Sequence, residues 1–349
     1  VFGRGRRVLR LTLRWTGDRG RTVTVNDPGT QPQRPGRLHI GIIGAGRVGA
    51  VLGAALRAVG HTIVAVSGAS QETQERVRAL LPGVPIRDPH DVVNLADVVI
   101  VAVPDDALSG VVSGVAALGL WQPRHIVVHT SGAHGVAVLE PAVRAGALPV
   151  ALHPAMTFTG TSLDLQRLST MACAVTAPPA CEPIGLALAV ELGAEPVVVA
   201  EEHRGLYHAA LAHGANHVVV LIAQAAQLLA QAGVEQPGSV LGPLMHAAVE
   251  GALRGAEPGS DPLTALTGPV VRGDSGTVAR HLGELVQAAV VSHAQDSVES
   301  YRVLARAATS RALMAGRLSQ SDAQRLLDVL HRSAPCGDGV AGTPQGDGE

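Results

Sequence analysis

Leu38-His39-Ile40-Gly41-Ile42-Ile43-Gly44-Ala45-Gly46-Arg47-Val48-Gly49 is a short apolar run that flows into G-x-G-x-x-G and then into a helical pattern over residues 50–59. In a chain with 41 glycines that spacing alone is weak. The strand-like run before it and the amphipathic stretch after it supply the context a dinucleotide-binding turn requires. Gly44 permits the tight turn, Gly46 lets backbone approach a pyrophosphate, and Gly49 lets helix pack on strand. Ala45, Arg47 and Val48 complete the loop, and the first amides of the helix would hold a diphosphate at the positive end of its dipole.

Outward from this turn, strand-like apolar runs recur at 40–43, 62–66, 98–103, 126–130, 149–152, 172–176 and 196–200, separated by helical stretches. Runs that are apolar on both faces are expected of strands covered on both sides, so the pattern predicts a parallel, doubly wound sheet. Residues 181–192, rich in Ala and Leu, fit one more crossover helix. After residue 200 the strand-like runs stop. Residues 201–232 form one long helical pattern without proline, and Pro237, Pro243, Pro258, Pro262 and Pro269 then punctuate shorter segments. Helical periods resume at 277–294, 296–315 and 319–332, with Ser319 as N-cap of the last. The expected organisation is an Arg-rich arm at 1–37, a Rossmann domain at 38–200, an all-helical domain at 201–333 and a disordered tail at 334–349.

Composition narrows the function classes. The 349 residues carry a formal charge of −2, which recruits neither nucleic acid nor an anionic membrane, so a small molecule is the expected ligand. Glutamines 224, 227 and 231 interrupt the most apolar stretch and argue against a membrane span. Three cysteines without metal-type spacing suit a reducing, cytoplasmic location. All 27 basic residues counted as Lys+Arg are arginine, which excludes a catalytic lysine. His213 and His217 share a helix face, but Gly214 stands where a metalloprotease motif has glutamate, and no metal is expected.

The stretches Gly44–Gly49, Val103-Pro104-Asp105-Asp106, His129-Thr130-Ser131-Gly132, Leu152-His153-Pro154, Tyr207-His208-Ala209-Ala210 and 266–274 resemble, in order and spacing, a known group. It comprises the Rossmann-like proteins with a C-terminal helical domain of unknown function (number 2520). These lie within the 6-phosphogluconate dehydrogenase-like reductases, alongside ketopantoate reductase and pyrroline-5-carboxylate reductase. The resemblance implies an N-terminal dinucleotide-binding domain, a 6-phosphogluconate dehydrogenase-like C-terminal helical domain, and a homodimer formed through that helical domain. Ketopantoate reductase-like members place a lysine near the start of the long helix and an asparagine two turns later. Here His208 stands at the lysine position, with Asn216 eight residues on, about 12 Å along the helix. Histidine is a competent general acid near neutral pH.

No acid follows the first glycine by about twenty residues, where NAD-binding folds hold the ribose hydroxyls. The second strand instead ends at Ser67, with Arg47 and Arg76 nearby, so NADP is expected over NAD. Val103-Pro104-Asp105 and Thr130-Ser131 fall at carboxyl ends of strands, where open α/β sheets bind ligands; Asp105 alternatively caps the next helix. Arg272 would clamp a substrate carboxylate, or else Arg272 and Asp274 serve the helix that begins near Thr277. Asn216 on an apolar helix would need a ligand or interdomain partners if buried. Together these imply an NADP-dependent reduction of a small oxo acid, with His208 as proton donor, Asn216 orienting the substrate and Arg272 binding its carboxylate. Reduction of a cyclic imine is the alternative, and a non-catalytic dinucleotide sensor is a third reading.

Overall fold

The computed structural model describes residues 38–292 and 294–331. The expected arm and tail lie outside the described residues. The chain divides into two compact units that meet at Glu201 and Glu202.

The first unit is built on seven strands: β1 (His39–Ile43), β2 (Thr62–Ser67), β3 (Val98–Val101), β4 (Ile126–His129), β5 (Leu148–Pro154), β6 (Ala172–Thr176) and β7 (Glu195–Val198). Between them run α1 (Arg47–Ala58), α2 (Gln71–Leu80), α3 (Pro89–Leu95), α4 (Asp105–Ala117), α5 (Glu140–Val143), α6 (Leu163–Arg167) and α7 (Glu182–Glu191). The spatial order is β2-β1-β3-β4-β5-β6-β7, and an isolated parallel bridge, Val66 to Ile86, continues the sheet beyond β2. Strand residues alternate between two cores. Ile40, Ile42, Val98 and Ile100 pack with Leu52, Leu56 and Leu188 on one face, while Ile43, Val99 and Val101 pack with Val92, Leu108 and Leu139 on the other. This two-sided burial explains why the strands read as continuous apolar runs.

The pairing departs from an all-parallel sheet once. β5 and β6 are antiparallel, with Ala151 opposite Thr176 and Pro154 opposite Cys173. An antiparallel neighbour needs no crossover helix, so the chain from 155 to 171 stays at the carboxyl edge of β5 and forms only short helical turns.

The second unit is helical: α8 (Arg204–Gln231), α9 (Pro237–Gly255), α10 (Ser275–Ser292), α11 (Gln295–Met314) and α12 (Gln320–His331). Val278, Leu282, Ala312, Leu326 and Leu330 form a core shared by α10, α11 and α12. Ser319 accepts the Asp322 amide at 3.1 Å, the cap expected for the last helix. Pro243 does not break α9 as its punctuation suggested. It lies in the first half of the helix, and the amide it lacks would have faced the carbonyl of the exposed Ser239, where solvent is within reach.

On α8 only Arg204 and Gln224 are buried. By length and composition alone, residues Glu201–Gln231 suffice to cross a membrane, which the glutamines had argued against. His208, His213, Asn216, His217 and Gln224 along this helix would be expensive in hydrocarbon.

Candidate functional site

Topology brings the glycine loop to the point where strand order reverses, between β2–β1 and β3. Gly44 has φ of 89°, and a methyl group there would lie 2.7 Å from the Ala102 carbonyl oxygen. Its amide donates to the Ser67 hydroxyl at 3.1 Å, and the Ala45 amide to the Ser67 carbonyl at 2.8 Å. Ser67, expected to meet the cofactor, is therefore buried and occupied in holding the loop, because register pairs it with Ile43.

Gly46 is the N-cap of α1, with no side-chain cap and no acid in the first turn. The following amides, at Arg47, Val48 and Gly49, are the unpaired ones that bind anions at helix starts. α4 differs: Pro104 takes its N-cap position, and Asp105 and Asp106 fill its first turn. Asp105 thus complements the helix dipole without capping by side chain, and it bars an anion from this second helix start. Val103 packs beside Gly44, so the 103–105 segment and the glycine loop do share one edge.

Two further features of this edge were not apparent before. Gly160, with φ of 80°, is flanked by Arg76 and Arg47, whose Nε and Cγ lie 2.5 and 2.8 Å from where its Cβ would be. The loop carrying Gly160 is fixed by the buried Asp164, which accepts the Thr159 and Gly160 amides at 2.9 and 2.7 Å and the Thr159 hydroxyl at 2.9 Å. Burial alone would raise this carboxyl, but the hydrogen bonds from Gly160, Thr159 and Thr161 outweigh it and hold Asp164 below its ordinary value. A depressed carboxyl stabilises the fold fully above the unfolded value of about 3.9 and loses that contribution as pH falls through the folded value. We expect Asp164→Asn to lower stability at pH 7 by about 2 kcal/mol, by mispairing those donors, and to flatten the acid limb of a melting-temperature profile. An unchanged profile in the variant would sink this assignment.

The second feature is a pocket of about 510 Å³ beyond β2, lined by Ser67, Gly68, Arg87, Asp88 and Asp91 among others. Its carboxylates come from the start of α3, Asp88 at the N-cap position and Asp91 in the first turn, more than forty residues past Gly44 and far outside the window that spacing suggests.

At the β4 end, the buried His129 sets the turn. Its Nε2 lies 2.8 Å from the Gly135 carbonyl, and its Nδ1 accepts the Ser131 amide at 3.2 Å. The Ser131 hydroxyl accepts the His134 amide at 3.2 Å, so Ser131 builds the turn while Thr130 is left half-buried. Glu201 secures the same loop by accepting the Val136 and Ala137 amides at 2.7 and 3.0 Å. An apolar strand ending in histidine was the signal for His129; Glu201, distant in sequence, left none.

In the helical unit, His208 and Asn216 both lie on α8. His208 is half-buried and Asn216 is exposed, so Asn216 does not need the partners that burial would have required. The exposed His213 and His217 rings meet edge to face with Nδ1 atoms 2.9 Å apart. No group of three or more metal-ligating side chains occurs among the described residues.

Arg272 is exposed, and its guanidinium donates to the Thr267 carbonyl at 2.7 Å, closing its own loop. Asp274 caps α10 by accepting the Thr277 amide at 2.9 Å, and hydrogen bonds from Thr277 hold its carboxyl below the usual value. Asp274 thus takes the helix-capping role expected of it, while Arg272 bonds within its own loop rather than to the helix. The reason is local: Gly273, with φ of 71°, folds the segment back so that the Asp274 amide meets the Pro269 carbonyl at 2.9 Å.

A doubly wound sheet with a glycine turn at the switch point, followed by an all-helical region, defines the Rossmann class of two-part proteins. Within it, residues 25–154 match the Rossmann-like domain and residues 171–308 match DUF2520, a domain of unknown function; the chain thus joins a Rossmann-like domain to DUF2520. No curated protein matches the chain. Among solved structures, an inferred NADP oxidoreductase from Bacteroides fragilis is similar, at 25% identity and a TM-score of 0.60 over 78% of this chain and 98% of that one. An imine reductase from Myxococcus stipitatus in complex with NADP+ is 17% identical, with a TM-score of 0.57, over 83% and 99% of the two chains. A Plasmodium falciparum pyrroline carboxylate reductase with NADP bound is 12% identical, with a TM-score of 0.51, over 78% and 98%. The last two likenesses speak for the fold alone.

Proposed function

We propose that this protein is an NADP-dependent reductase of a small molecule carrying a C=N or C=O bond. The observation that carries the reading is the convergence of Arg47 and Arg76 on Gly160, beside an α1 start free of acid. That start suits a pyrophosphate, and the arginine pair suits a further phosphate on the adenosine ribose. NADPH, when bound, would supply hydride. On the chain's side, His208 is proposed to donate the proton that a reduced nitrogen or oxygen takes up. Arg272 donates one N–H to the Thr267 carbonyl and has other N–H groups with which to bind a carboxylate, so an oxo acid stays among the substrates to try. The imine, named in the similar structure from Myxococcus stipitatus, is tried beside it.

NAD is supported as second cofactor by Asp88 and Asp91 in the pocket past β2, since carboxylates there suit ribose hydroxyls. Cofactor titrations of wild type and Arg47→Ala/Arg76→Ala decide between them. Wild type should bind NADPH more tightly than NADH, and the double variant should lose about tenfold or more in NADPH affinity while NADH affinity changes little. Equal effects on both nucleotides would overturn the NADP assignment. In turnover with cyclic imines and oxo acids, His208→Ala should lower kcat by about 10²-fold or more.

We also propose a homodimer through the helical unit. α8 and α9 expose Leu206, Val219, Val220, Val240, Leu244 and Leu253, apolar side chains that a helix-to-helix contact between two copies would cover.

A further inference from the structure

The helical unit holds a pocket of about 410 Å³ of its own. One face of α8, at Leu221, Gln224, Ala225 and Leu228, forms a wall with the helical spacing i, i+3, i+4, i+7. Opposite it stands a single face of α11 that includes Ser297, Ser300 and Tyr301. His281 and Leu285 of α10 and the 268–270 loop close the remainder. The volume falls within the range of small-molecule sites, and none of the described residues lining it is an aspartate, glutamate or arginine.

Its polar groups converge on one corner. The Tyr301 hydroxyl lies 2.9 Å from His281 Nδ1, with the rings edge to face. Depending on which imidazole nitrogen carries the proton, Tyr301 offers either an O–H or a lone pair to an occupant. The Gln224 amide is fixed by Asp296 at 2.7 Å and Ser300 at 3.1 Å. The Ser297 hydroxyl lies beneath the wall, sealed from water and with no hydrogen-bond partner among the described residues, so it is not a contact offered to an occupant.

We infer that this pocket binds a small, uncharged, largely apolar molecule bearing one hydroxyl or carbonyl oxygen, which pairs with Tyr301. Burial raises the Tyr301 phenol, keeping it neutral at physiological pH, in keeping with an uncharged occupant. No lining group carries a fixed charge to offset the cost of drawing an ion out of water. The inference stands on the helical unit and does not depend on the dinucleotide reading.

The test titrates the full chain, without nucleotide, with cyclohexanone, cyclohexanol, toluene, benzoate and cyclohexylammonium by ligand-observed NMR. Cyclohexanone and cyclohexanol should bind at about millimolar or tighter, and the two ions about tenfold or more weakly. Tyr301→Phe should weaken the ketone and alcohol by about three- to tenfold and leave toluene unchanged. Ala225→Leu and Ala308→Leu fill the space from two different helices, and whichever keeps the wild-type circular dichroism spectrum should abolish binding of all three neutral probes. Absence of neutral-probe binding, equal binding of the ions, or unchanged binding in the filled variants would each overturn the inference. So would sedimentation showing that the filled variants dissociate a wild-type dimer which excludes the probes, because the pocket would then seat a second copy of the chain.

Discussion

Gly46→Asp should fold as well as wild type and lose NADPH. A Cβ on Gly46 meets no atom within 4 Å, and its φ of −67° suits any L-residue. Aspartate is moreover among the best N-cap residues, so the melting temperature should hold or rise slightly. The stabilisation comes from the same source as the loss of binding. The new carboxylate accepts the first amides of α1 and places a negative charge where a pyrophosphate must sit. We expect the NADPH dissociation constant to rise by about 100-fold or more, on the order of 2.7 kcal/mol. A variant that binds NADPH as tightly as wild type would show that the α1 start is not the diphosphate site, and the proposed function would fall with it.

Three residues on, Gly49→Ala should fail in the opposite way, by damaging the fold. Its Cβ would lie 2.3 Å from the Gly44 carbonyl oxygen and 3.1 Å from Ile42 Cγ2. Backbone cannot swing aside as a flexible side chain can. Gly44 itself is held by the Ser67 hydroxyl and by its close approach to Ala102, so the strain has no easy outlet. Overpacking of this kind costs about 3 kcal/mol, which corresponds to a fall of about 6–12 °C in melting temperature. Gly46→Ala is the internal control and should melt within about 2 °C of wild type. If Gly49→Ala melts with the control, the close packing of α1 on β1 is not what requires glycine there.

Much of the fold was legible because burial on both faces of a sheet leaves a coarse signature. Ile40 and Ile43 point to different cores, and both must be apolar, so β1 reads plainly as a strand. Strand direction leaves no such mark, since Ala172–Thr176 is as apolar reversed as parallel. The glycine turn was legible because its three glycines act within six residues. Ser67, Arg272 and Asn216 were less so, for a shared reason. Residue type shows what a side chain is able to bind, and the fold decides what it meets first. For Ser67 that is the Gly44 amide, for Arg272 the Thr267 carbonyl, and for Asn216 solvent. The approach of Arg47 and Arg76 across Gly160 depends on a loop more than eighty residues further along, which local spacing cannot register.

The reversed strand β6 also bears on how such a protein can diversify. The connection from β5 leaves and re-enters the sheet at one rim, the rim where Gly160 meets the two arginines. Insertions or deletions in residues 155–171 that keep Phe158, Leu168 and Met171 in the core would reshape the ground beside the glycine turn while leaving strand register intact. Lineages sharing this architecture can therefore exchange ligand preference by editing one segment, with Asp164 as the anchor that each edit must respect or replace.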